Sequence, residues 1–227
     1  MSRPPDPVDL IRQAFDKRIP ASGNMPYVRI SGVGHECLRK IVFDTRQDLY
    51  IEEAVGEKVP ALIGNTLHLF YEDICRLFVD EYADAVIEER AVDHILKCTG
   101  QIDVFHQGTV IDFKTTSNNN FKKLAKSKKL QKQYMWQMQG YMMMKDAEHG
   151  YVVYIDRDTR LSLRDNMDYH PMFSIYVEPD KDIQKSIKER ISLVHLMNDL
   201  GLVPPKNPKY NKKYPPCSWC DYKGECW

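Results

Sequence analysis

Apolar and polar positions follow two rhythms along this chain, one typical of helices and one typical of strands. Helical spacing predicts helices in "VDLIRQAFDKRI", from about Cys37, over residues 60–83, in "YMWQMQGYMMMKD" and in "DKDIQKSIKERISLVHLMND". An Asp near the start of the last segment suits an N-cap. Strand patterns occur in "AVIEERAV", "HILKCTG", "QIDVFH", "TVIDFK", "GYVVYID" and "HPMFSIYVE". This order predicts a mixed α/β domain with helices against a central sheet.

The stretch "GQIDVFHQGTVIDFKTTS" predicts a hairpin that carries charges among apolar residues. With the turn centred on Gln107 and Gly108, Asp103 faces Asp112 across the two strands, and Lys114 lies on the same face. The opposite face is apolar and is expected to pack on the core: Ile102, Val104, Ile111 and Phe113. Gln-Gly is not the preferred turn pair, so a one-residue bulge is the alternative.

Two opposed carboxylates repel each other unless a proton or a cation lies between them. Carboxylate oxygens beside a backbone carbonyl suit Mg²⁺ or Mn²⁺, and such an ion activates a bound water and stabilises charge on a phosphate. Lys114 could then orient the attacking water or neutralise the phosphate. The alternative without chemistry is an edge hairpin whose charges form salt bridges in solvent.

Composition and charge bound the classes of function. The chain has 227 residues, with 32 Lys and Arg against 32 Asp and Glu, so any nucleic-acid binding must come from local patches. No run of 18 apolar residues and no N-terminal signal stretch is present, so we expect a cytoplasmic protein without membrane contact. In a reducing compartment, six cysteines favour metal or cluster ligands over disulfides.

Four short elements resemble those of a known nuclease superfamily. "GQID", nine residues before "DFKT", resembles the G-x-x-D … (D/E)-x-K signature of the PD-(D/E)XK nucleases, especially their RecB-like exonuclease branch. "GNTLH", with His68, is similar to the G-x-x-x-H element of that branch, and "QMQGY" is similar to its Q-x-x-x-Y element. The elements occur in the order of the family, between residues 64 and 141. The resemblance implies a restriction-endonuclease-like core.

The resemblance also implies roles for individual residues. The catalytic residues would be Asp103, Asp112, Lys114, Gln137 and Tyr141. The ligands of Mg²⁺ or Mn²⁺ would be His68, Asp103, Asp112 and the carbonyl oxygen of Phe113. On spacing alone, His68 could equally be a surface or satisfied core histidine, and Gln137 and Tyr141 a polar pair at the rim of the core.

Three cysteines cluster in the tail as Cys217-x2-Cys220-x5-Cys226, a spacing that indicates a metal or cluster site with one ligand missing. Cys75 lies in the apolar register of its helix and Cys98 ends a strand, so both fit buried structural positions. The pattern resembles that of iron–sulfur exonucleases, which include CRISPR-associated adaptation exonucleases and AddB-type helicase-nuclease subunits. The resemblance implies a [4Fe–4S] cluster that fastens the tail to the N-terminal lobe, with zinc as the alternative. Its ligands would be Cys37, Cys217, Cys220 and Cys226.

Two basic segments offer contacts to phosphates, "FKKLAKSKKLQKQ" and "KNPKYNKKY". In the first, Lys122, Lys123 and Lys126 would bind the DNA backbone, while Phe121, or Trp136 just after the segment, stacks on a base. Runs of this kind are more often solvated faces of helices or loops.

Taken with the resemblance, the sequence predicts a metal-dependent exonuclease that acts on single-stranded DNA or DNA ends, with 5′→3′ polarity. The expected setting is phage DNA metabolism, recombination or CRISPR adaptation in a bacterial, archaeal or phage-infected cell, with recombination, replication or CRISPR integration proteins as partners. The alternative is a DNA-end-binding accessory subunit with little catalysis of its own. Three parts are expected: an N-terminal helical segment with one cluster cysteine (residues 1–60), a nuclease core (61–200) and a cluster-binding tail (201–227).

Overall fold

The computed structural model describes residues 26–46, 64, 66, 69–70, 73, 84–158 and 171–227. The elements in chain order are β1 (Val28–Arg29), α1 (Ile30–Val33), α2 (Leu38–Asp44), β2 (Val86–Asp93), β3 (Cys98–His106), β4 (Thr109–Thr116), α3 (Asn118–Ser127), α4 (Lys132–Lys145), β5 (His149–Asp156), β6 (Met172–Val177), α5 (Lys181–Asp199), a 3-10 turn (Cys217–Trp219) and α6 (Lys223–Cys226). Residues 64, 66, 69, 70 and 73 are helical, within the helix expected over residues 60–83. The helix expected in "VDLIRQAFDKRI" lies outside the described residues.

The six strands form one mixed sheet, which confirms the predicted α/β class. β3 pairs with β2 along one edge, in antiparallel fashion. Its other edge is shared, because β1 pairs with residues 98–99 and β4 with residues 104–106. Residues 100–103 lie between these two pairings. Beyond β4, the parallel partner is β5, and β6 follows it in antiparallel pairing.

The predicted two-residue turn between β3 and β4 is confirmed. Gln107 and Gly108 both have positive φ, at 42° and 73°, the geometry whose twist fits a two-residue hairpin. The pairs are His106 with Thr109, Phe105 with Val110 and Val104 with Ile111. Continued by one residue, this register sets Asp103 opposite Asp112, without the bulge that was the alternative.

Helices α1 and α4 pack on the sheet and on each other, and α5 packs on α1, α2 and α4. The core on this side includes Ile30, Met138, Met142, Val152, Ile187 and Ile191. Gly140 allows α1 to approach α4, because a Cβ there would come within 2.5 Å of Ile30 Cγ2. Burial of this large apolar layer is therefore the main interaction that holds the domain together.

The opposite face of the sheet carries a smaller cluster of Val104, Ile111, Phe113 and Ile155. Ile102 was expected there and instead packs on the α4 side, so that expectation is wrong. The alternation of β3 breaks between Ile102 and Val104. Their partners on β2 are Glu89 and Ile87, and the residue between those, Glu88, has a φ of 53°. A positive φ in a strand interrupts the regular pleat.

Two further segments differ from expectation. Residues 94–97 form a turn rather than the beginning of a strand, because Asp93 Oδ1 accepts hydrogen bonds from the N–H groups of Ile95 and Leu96, both at 2.9 Å. The basic segment after β4 contains helix α3.

The N-cap expected for α5 is confirmed, since the Asp180 side chain accepts hydrogen bonds from Asp182 N and Ile183 N. Among the described helices, none has the length and apolar composition needed to cross a membrane.

Candidate active site

The acids of the hairpin lie where β3 and β4 stop pairing. Val104 and Ile111 form the last residue pair of the two strands. Beyond this pair, a side chain connects them, since Asp103 Oδ2 accepts a hydrogen bond from Phe113 N at 2.7 Å. Asp103 is 7% exposed and Asp112 only 2% exposed. A buried carboxylate is costly unless other groups compensate it, so the surroundings of Asp112 decide what the site can do.

Both oxygens of Asp112 are held by specific partners. Lys114 Nζ lies 2.7 Å from Oδ2, and Gln137 Nε2 donates to Oδ1 at 3.1 Å. The same Gln137 nitrogen donates to the hydroxyl oxygen of Tyr141 at 2.9 Å. Its two N–H groups are thereby both used. The structure thus joins four of the residues that the sequence singled out in one network: Asp112, Lys114, Gln137 and Tyr141.

The electrostatics of the site keep Lys114 charged and Tyr141 neutral. Burial opposes the charge of Lys114, but the carboxylates of Asp112 and Asp103 outweigh it and raise the pKa of the ammonium. Burial, together with Asp112 and Asp103, raises the pKa of the Tyr141 phenol. At neutral pH the site therefore presents an ammonium and a neutral hydroxyl around the acids.

One face of α4 supplies three side chains to this site at positions i, i+3 and i+7: Tyr134, Gln137 and Tyr141. The ring of Tyr134 lies under Lys114, with its centroid 5.2 Å from Nζ. Sequence reasoning did not identify Tyr134. The signal was available, because Tyr134 precedes Gln137 by three residues and so had to share its helical face.

A polar cleft lies beside the site, along the stretch of β3 between its pairings with β1 and β4. It is lined by Arg29, Ser31, Arg90, Thr99, Gly100, Gln101 and Tyr141. Two exposed arginines make it a cationic surface, and Tyr141 connects this surface to the network around Asp112. Sequence reasoning missed this cleft, because Arg29 and Arg90 are far apart in the chain and carry no motif.

The remaining ligand expected for a catalytic metal, His68, lies outside the described residues. Gly64 of the same "GNTLH" element is described, and a Cβ there would lie 3.8 Å from Thr115 Oγ1. This places the start of that element beside the end of β4. Within the described residues, no group of three or more His, Cys, Asp or Glu side chains is placed to hold a metal ion, at the acids or at the cysteines.

The four cysteines expected to bind a cluster line one mostly apolar cavity. Cys37 comes from the residue before α2 and the others from the tail, namely Cys217, Cys220 and Cys226. His35, Lys40 and Lys223 also line this cavity. Cys98 lies apart, fully buried in β3, where burial raises the pKa of its thiol to about 12. Cys98 therefore lies apart from the four cysteines of the cavity, and Cys75, also expected to be structural, lies outside the described residues.

Contacts between α2 and the tail surround this cavity. Tyr222, only 2% exposed, packs its ring against Phe43 at a centroid distance of 5.2 Å. Lys40 Nζ lies over the same Tyr222 ring at 5.6 Å, and Arg39 Nη1 donates to the carbonyl oxygen of Pro204 at 3.0 Å. The irregular tail is therefore anchored to α2 by one buried aromatic residue and a few polar contacts.

The residues expected to bind DNA fall into two groups. Lys122, Lys123 and Lys126 are exposed on α3. Phe121 is only 4% exposed, because its ring packs against Phe173 with centroids 5.0 Å apart. The expectation that Phe121 stacks on a base is therefore wrong. Its position on α3 turns it toward the sheet, while the lysines occupy the solvent side.

No model of a protein family matches the sequence, and no curated protein matches it either. Solved structures share its fold. SSO0001 is 16% identical, with 98% of this chain and 96% of that chain covered and a TM-score of 0.61. LHK-Exo is an alkaline exonuclease from Laribacter hongkongensis. Its structure in complex with dAMP is 13% identical, with 80% of this chain and 92% of that chain covered and a TM-score of 0.60. A phage-related exonuclease from Haemophilus somnus 129PT is 19% identical, with 77% of this chain and 94% of that chain covered and a TM-score of 0.52. This chain therefore has a fold found in solved exonucleases.

Proposed function

We propose that this protein is a metal-dependent DNA exonuclease. The observation that carries the proposal is the buried Asp112, held by Lys114 and Gln137 beside Asp103, where the hairpin strands separate. A stable fold does not need two buried acids and a partly buried ammonium at one point. Such groups are costly to bury and are typical of sites that perform chemistry. The fold shared with solved exonucleases supports the same interpretation.

The donors present suit Mg²⁺ or Mn²⁺. Asp103 and Asp112 offer carboxylate oxygens and Phe113 offers a carbonyl, which are the ligand types that these ions prefer. The two described acids are fewer than a complete ligand set, and His68 would supply the remaining side chain. A bound ion would lower the pKa of a water molecule and stabilise negative charge on the phosphate.

The residues around the acids have separate roles in this proposal. Lys114, with its raised pKa, acts as a cation: it holds the attacking water and offsets charge on the phosphate, and it does not act as a base. Gln137 fixes the orientation of Asp112 through Oδ1. Tyr141 completes that bond network and stays protonated.

The substrate would be DNA, as single strands or duplex ends. The cationic cleft with Arg29 and Arg90 is also lined by Tyr141, which bonds to Gln137 in the network around Asp112, and guanidinium groups bind phosphates in a bidentate manner. The lysines of α3 would add contacts to the backbone. We infer 5′→3′ polarity, and a setting in phage DNA metabolism, recombination or CRISPR adaptation with the corresponding proteins as partners, from the family resemblance alone.

A [4Fe–4S] cluster in the cysteine-lined cavity is the second part of the proposal. Cys37, Cys217, Cys220 and Cys226 line one cavity, and thiolates are the ligands such a cluster requires. Burial raises the pKa of Cys220, so in the metal-free protein this thiol stays protonated and a bound metal would have to displace its proton. The cluster would strengthen a tail that otherwise has few apolar contacts. Zinc with four cysteines is the alternative occupant.

Cleavage of end-labelled oligonucleotides tests the proposed activity. Single-stranded and duplex DNA with one end blocked should be shortened from the free end in the presence of Mn²⁺ or Mg²⁺. A 5′ block that stops the reaction and a 3′ block that leaves it unchanged would support 5′→3′ polarity. Binding of DNA ends without any shortening, with either ion, would favour the accessory subunit instead.

A further inference from the structure

The C-terminal tail forms two successive turns with one sequence pattern, Asn-x-Lys-Tyr, at residues 207–210 and 211–214. In both turns the Asn side chain accepts a hydrogen bond from the Lys N–H at 3.0 Å. The Tyr N–H donates to the Asn carbonyl oxygen, at 2.9 Å in the first turn and 3.1 Å in the second. These bonds fix the backbone of a segment that belongs to no long helix or strand. The side chains of the two turns are therefore presented in defined positions.

The tyrosines of the two turns have different surroundings. The Tyr210 hydroxyl donates to Glu36 Oε2 at 3.3 Å, which ties the first turn to the loop before α2. Tyr214 is 66% exposed and immediately precedes Pro215. An aromatic ring exposed on a fixed turn offers a flat surface for stacking. The first tyrosine thus serves the fold, whereas the second is available to a ligand.

Tyr214 stands next to a groove between the tail and the start of α4. One wall of the groove is formed by residues 131–133 and the other by residues 215–216, and residues 34–36 line it between them. Gly34 permits the close approach of the chain to α4, because a Cβ there would lie 2.8 Å from Trp136 Cβ. The groove is therefore a consequence of how the N-terminal loop packs under the helix.

The groove is where the two basic segments of the sequence meet. Lys132 lines the groove, and three more exposed lysines lie in the residues leading into its walls: Lys129, Lys212 and Lys213. Glu36 is the acidic residue that lines the groove, and it accepts a hydrogen bond from the tail. In a chain with zero net charge, this concentration of ammonium groups creates a local positive potential.

The groove and the proposed site both involve side chains from the first turn of α4. Lys132, which lines the groove, and Tyr134, under Lys114, are two residues apart in that turn. At about 100° of rotation per residue, their side chains leave the helix on nearly opposite sides. A strand that lies in the groove would therefore pass over the start of α4 to reach the acids.

We propose that this groove binds the single-stranded part of a DNA substrate, with its lysines on phosphates and Tyr214 stacked on a base. The proposal rests on the proposed nuclease function for the choice of DNA as the polymer. A cationic groove combined with an exposed aromatic ring is the pattern by which proteins hold single strands without sequence preference. A duplex is disfavoured, because its bases are already stacked and do not offer a face to Tyr214.

Fluorescence anisotropy with a labelled 20-mer, in buffer without added divalent ions, tests the groove. Replacing both lysines of the second turn, Lys212→Ala with Lys213→Ala, should lower the slope of log Kd against log salt by about 1.4, the value for two lost phosphate contacts on a single strand. Tyr214→Ala should weaken binding about tenfold, whereas Tyr214→Phe should bind as the unmodified protein does. The matched control is Lys185→Ala with Lys188→Ala on the exposed side of α5, which should leave both quantities unchanged.

Three outcomes would contradict the proposal that the groove binds single-stranded DNA. The salt slope could be the same in the Lys212/Lys213 variant and in the control, or Tyr214→Ala could bind the 20-mer normally. A blunt duplex could also bind as tightly as the single strand and lose as much affinity in each variant. Equal melting temperatures and metal contents across the set confirm that every variant is folded, which the exposure of the three side chains leads us to expect.

A small substrate separates this proposal from the proposed function. Hydrolysis of bis(p-nitrophenyl) phosphate with Mn²⁺ requires the acids but not the groove, so its rate should be unchanged in the groove variants. If the protein hydrolyses this ester and the variants bind the 20-mer normally, the proposed DNA binding in the groove is wrong, whereas the proposed nuclease function is supported. If neither DNA nor the ester is hydrolysed but the variants lose affinity as described, the proposed DNA binding in the groove is supported, whereas the proposed nuclease function is wrong.

Discussion

The ring of Tyr141 occupies the space where a side chain at Gly100 would lie, since a Cβ on Gly100 would come within 2.5 Å of Tyr141 Cε1. This contact joins the first residue of "GQID" on β3 to the last residue of "QMQGY" on α4. Tyr141 in turn receives a hydrogen bond from Gln137, which holds Asp112. The absence of a side chain at position 100 thus sets how closely α4 approaches the acids.

Gly100→Ala should therefore reduce both stability and activity. A buried tyrosine ring cannot move aside freely, so the added methyl group should cost about 1–3 kcal/mol of unfolding free energy, as overpacking does. Displacement of Tyr141 should also disturb Gln137 and lower kcat. Thermal unfolding and DNA cleavage on the same samples measure the two effects.

The control for this substitution is Gly32→Ala, where the new Cβ would lie 4.0 Å from the nearest atom, Asp44 Oδ2, at ordinary contact distance. It should be neutral or slightly stabilising in α1. Equal melting temperatures for the two variants would show that the contact between Gly100 and Tyr141 is looser than described.

Gln137→Leu should inactivate the enzyme more than it destabilises it. The change removes the donor to Asp112 Oδ1, and loss of one buried hydrogen-bond partner costs about 1–3 kcal/mol. Because the orientation of the carboxylate is lost as well, kcat should fall about 100-fold. Cleavage assays well below the melting temperature measure this loss.

The chain offers a matched control for Gln137 in Gln139, two residues away on the same helix and fully buried. Gln139 bonds to Glu178 O, Asp180 N and Gln184, at the entrance of α5 and away from the acids. Gln139→Leu should cost similar stability and leave kcat nearly unchanged. Equal losses of activity in both variants would show that Gln137 acts only through the fold.

Much of this site follows from the local sequence. The turn at Gln107 and Gly108 is set by neighbouring residues, and strand alternation then places Asp103, Asp112 and Lys114 relative to one another. Helical periodicity likewise puts Gln137 and Tyr141 on one face. These relationships span few residues, so a single sequence predicts them.

Other features depend on packing between distant segments and were not predictable in this way. Arg29 and Arg90 meet in one cleft only because β1 ends early beside β3. The shift of Ile102 to the other face follows from an irregular residue on the partner strand, Glu88. Phe121 is inward-facing because α3 packs on the sheet, which its basic composition did not indicate.

Arg29→Ala should weaken substrate binding with little effect on the chemical step. Arg29 lines the cleft that Tyr141 connects to the site, so its loss removes contacts to phosphate that are made equally in the ground state and the transition state. KM for DNA should rise about tenfold, consistent with one charge-assisted hydrogen bond. Arg29→Lys should restore only part of the affinity, since an ammonium cannot bind a phosphate in a bidentate manner.

Steady-state kinetics at several salt concentrations provide the measurement for Arg29. The salt dependence of KM should be weaker in the Ala variant than in the Lys variant, because only the former loses a charge. A normal KM in the Ala variant would show that the substrate does not bind in the cleft.

Cys37→Ala should remove the cluster, whereas Cys98→Ala should not. Cys37 lines the cavity with the three tail cysteines, while Cys98 is buried in β3. The unmodified protein, purified without oxygen, should be brown and contain iron and labile sulfide. The Cys37 variant should be colourless with a lower melting temperature, because the tail loses its fastening. One zinc and no iron in the unmodified protein would assign the cavity to zinc.

Asp112 and Lys114 are the residues on which the proposed phosphodiester hydrolysis depends most. The most direct measurement is the release of nucleotides from end-labelled single-stranded DNA with Mn²⁺, by the unmodified protein and by the Asp112→Ala and Lys114→Ala variants. We predict release by the first and none by the variants, with the fold and the metal content at the cysteines unchanged. Release at an undiminished rate by both variants would contradict the proposed function.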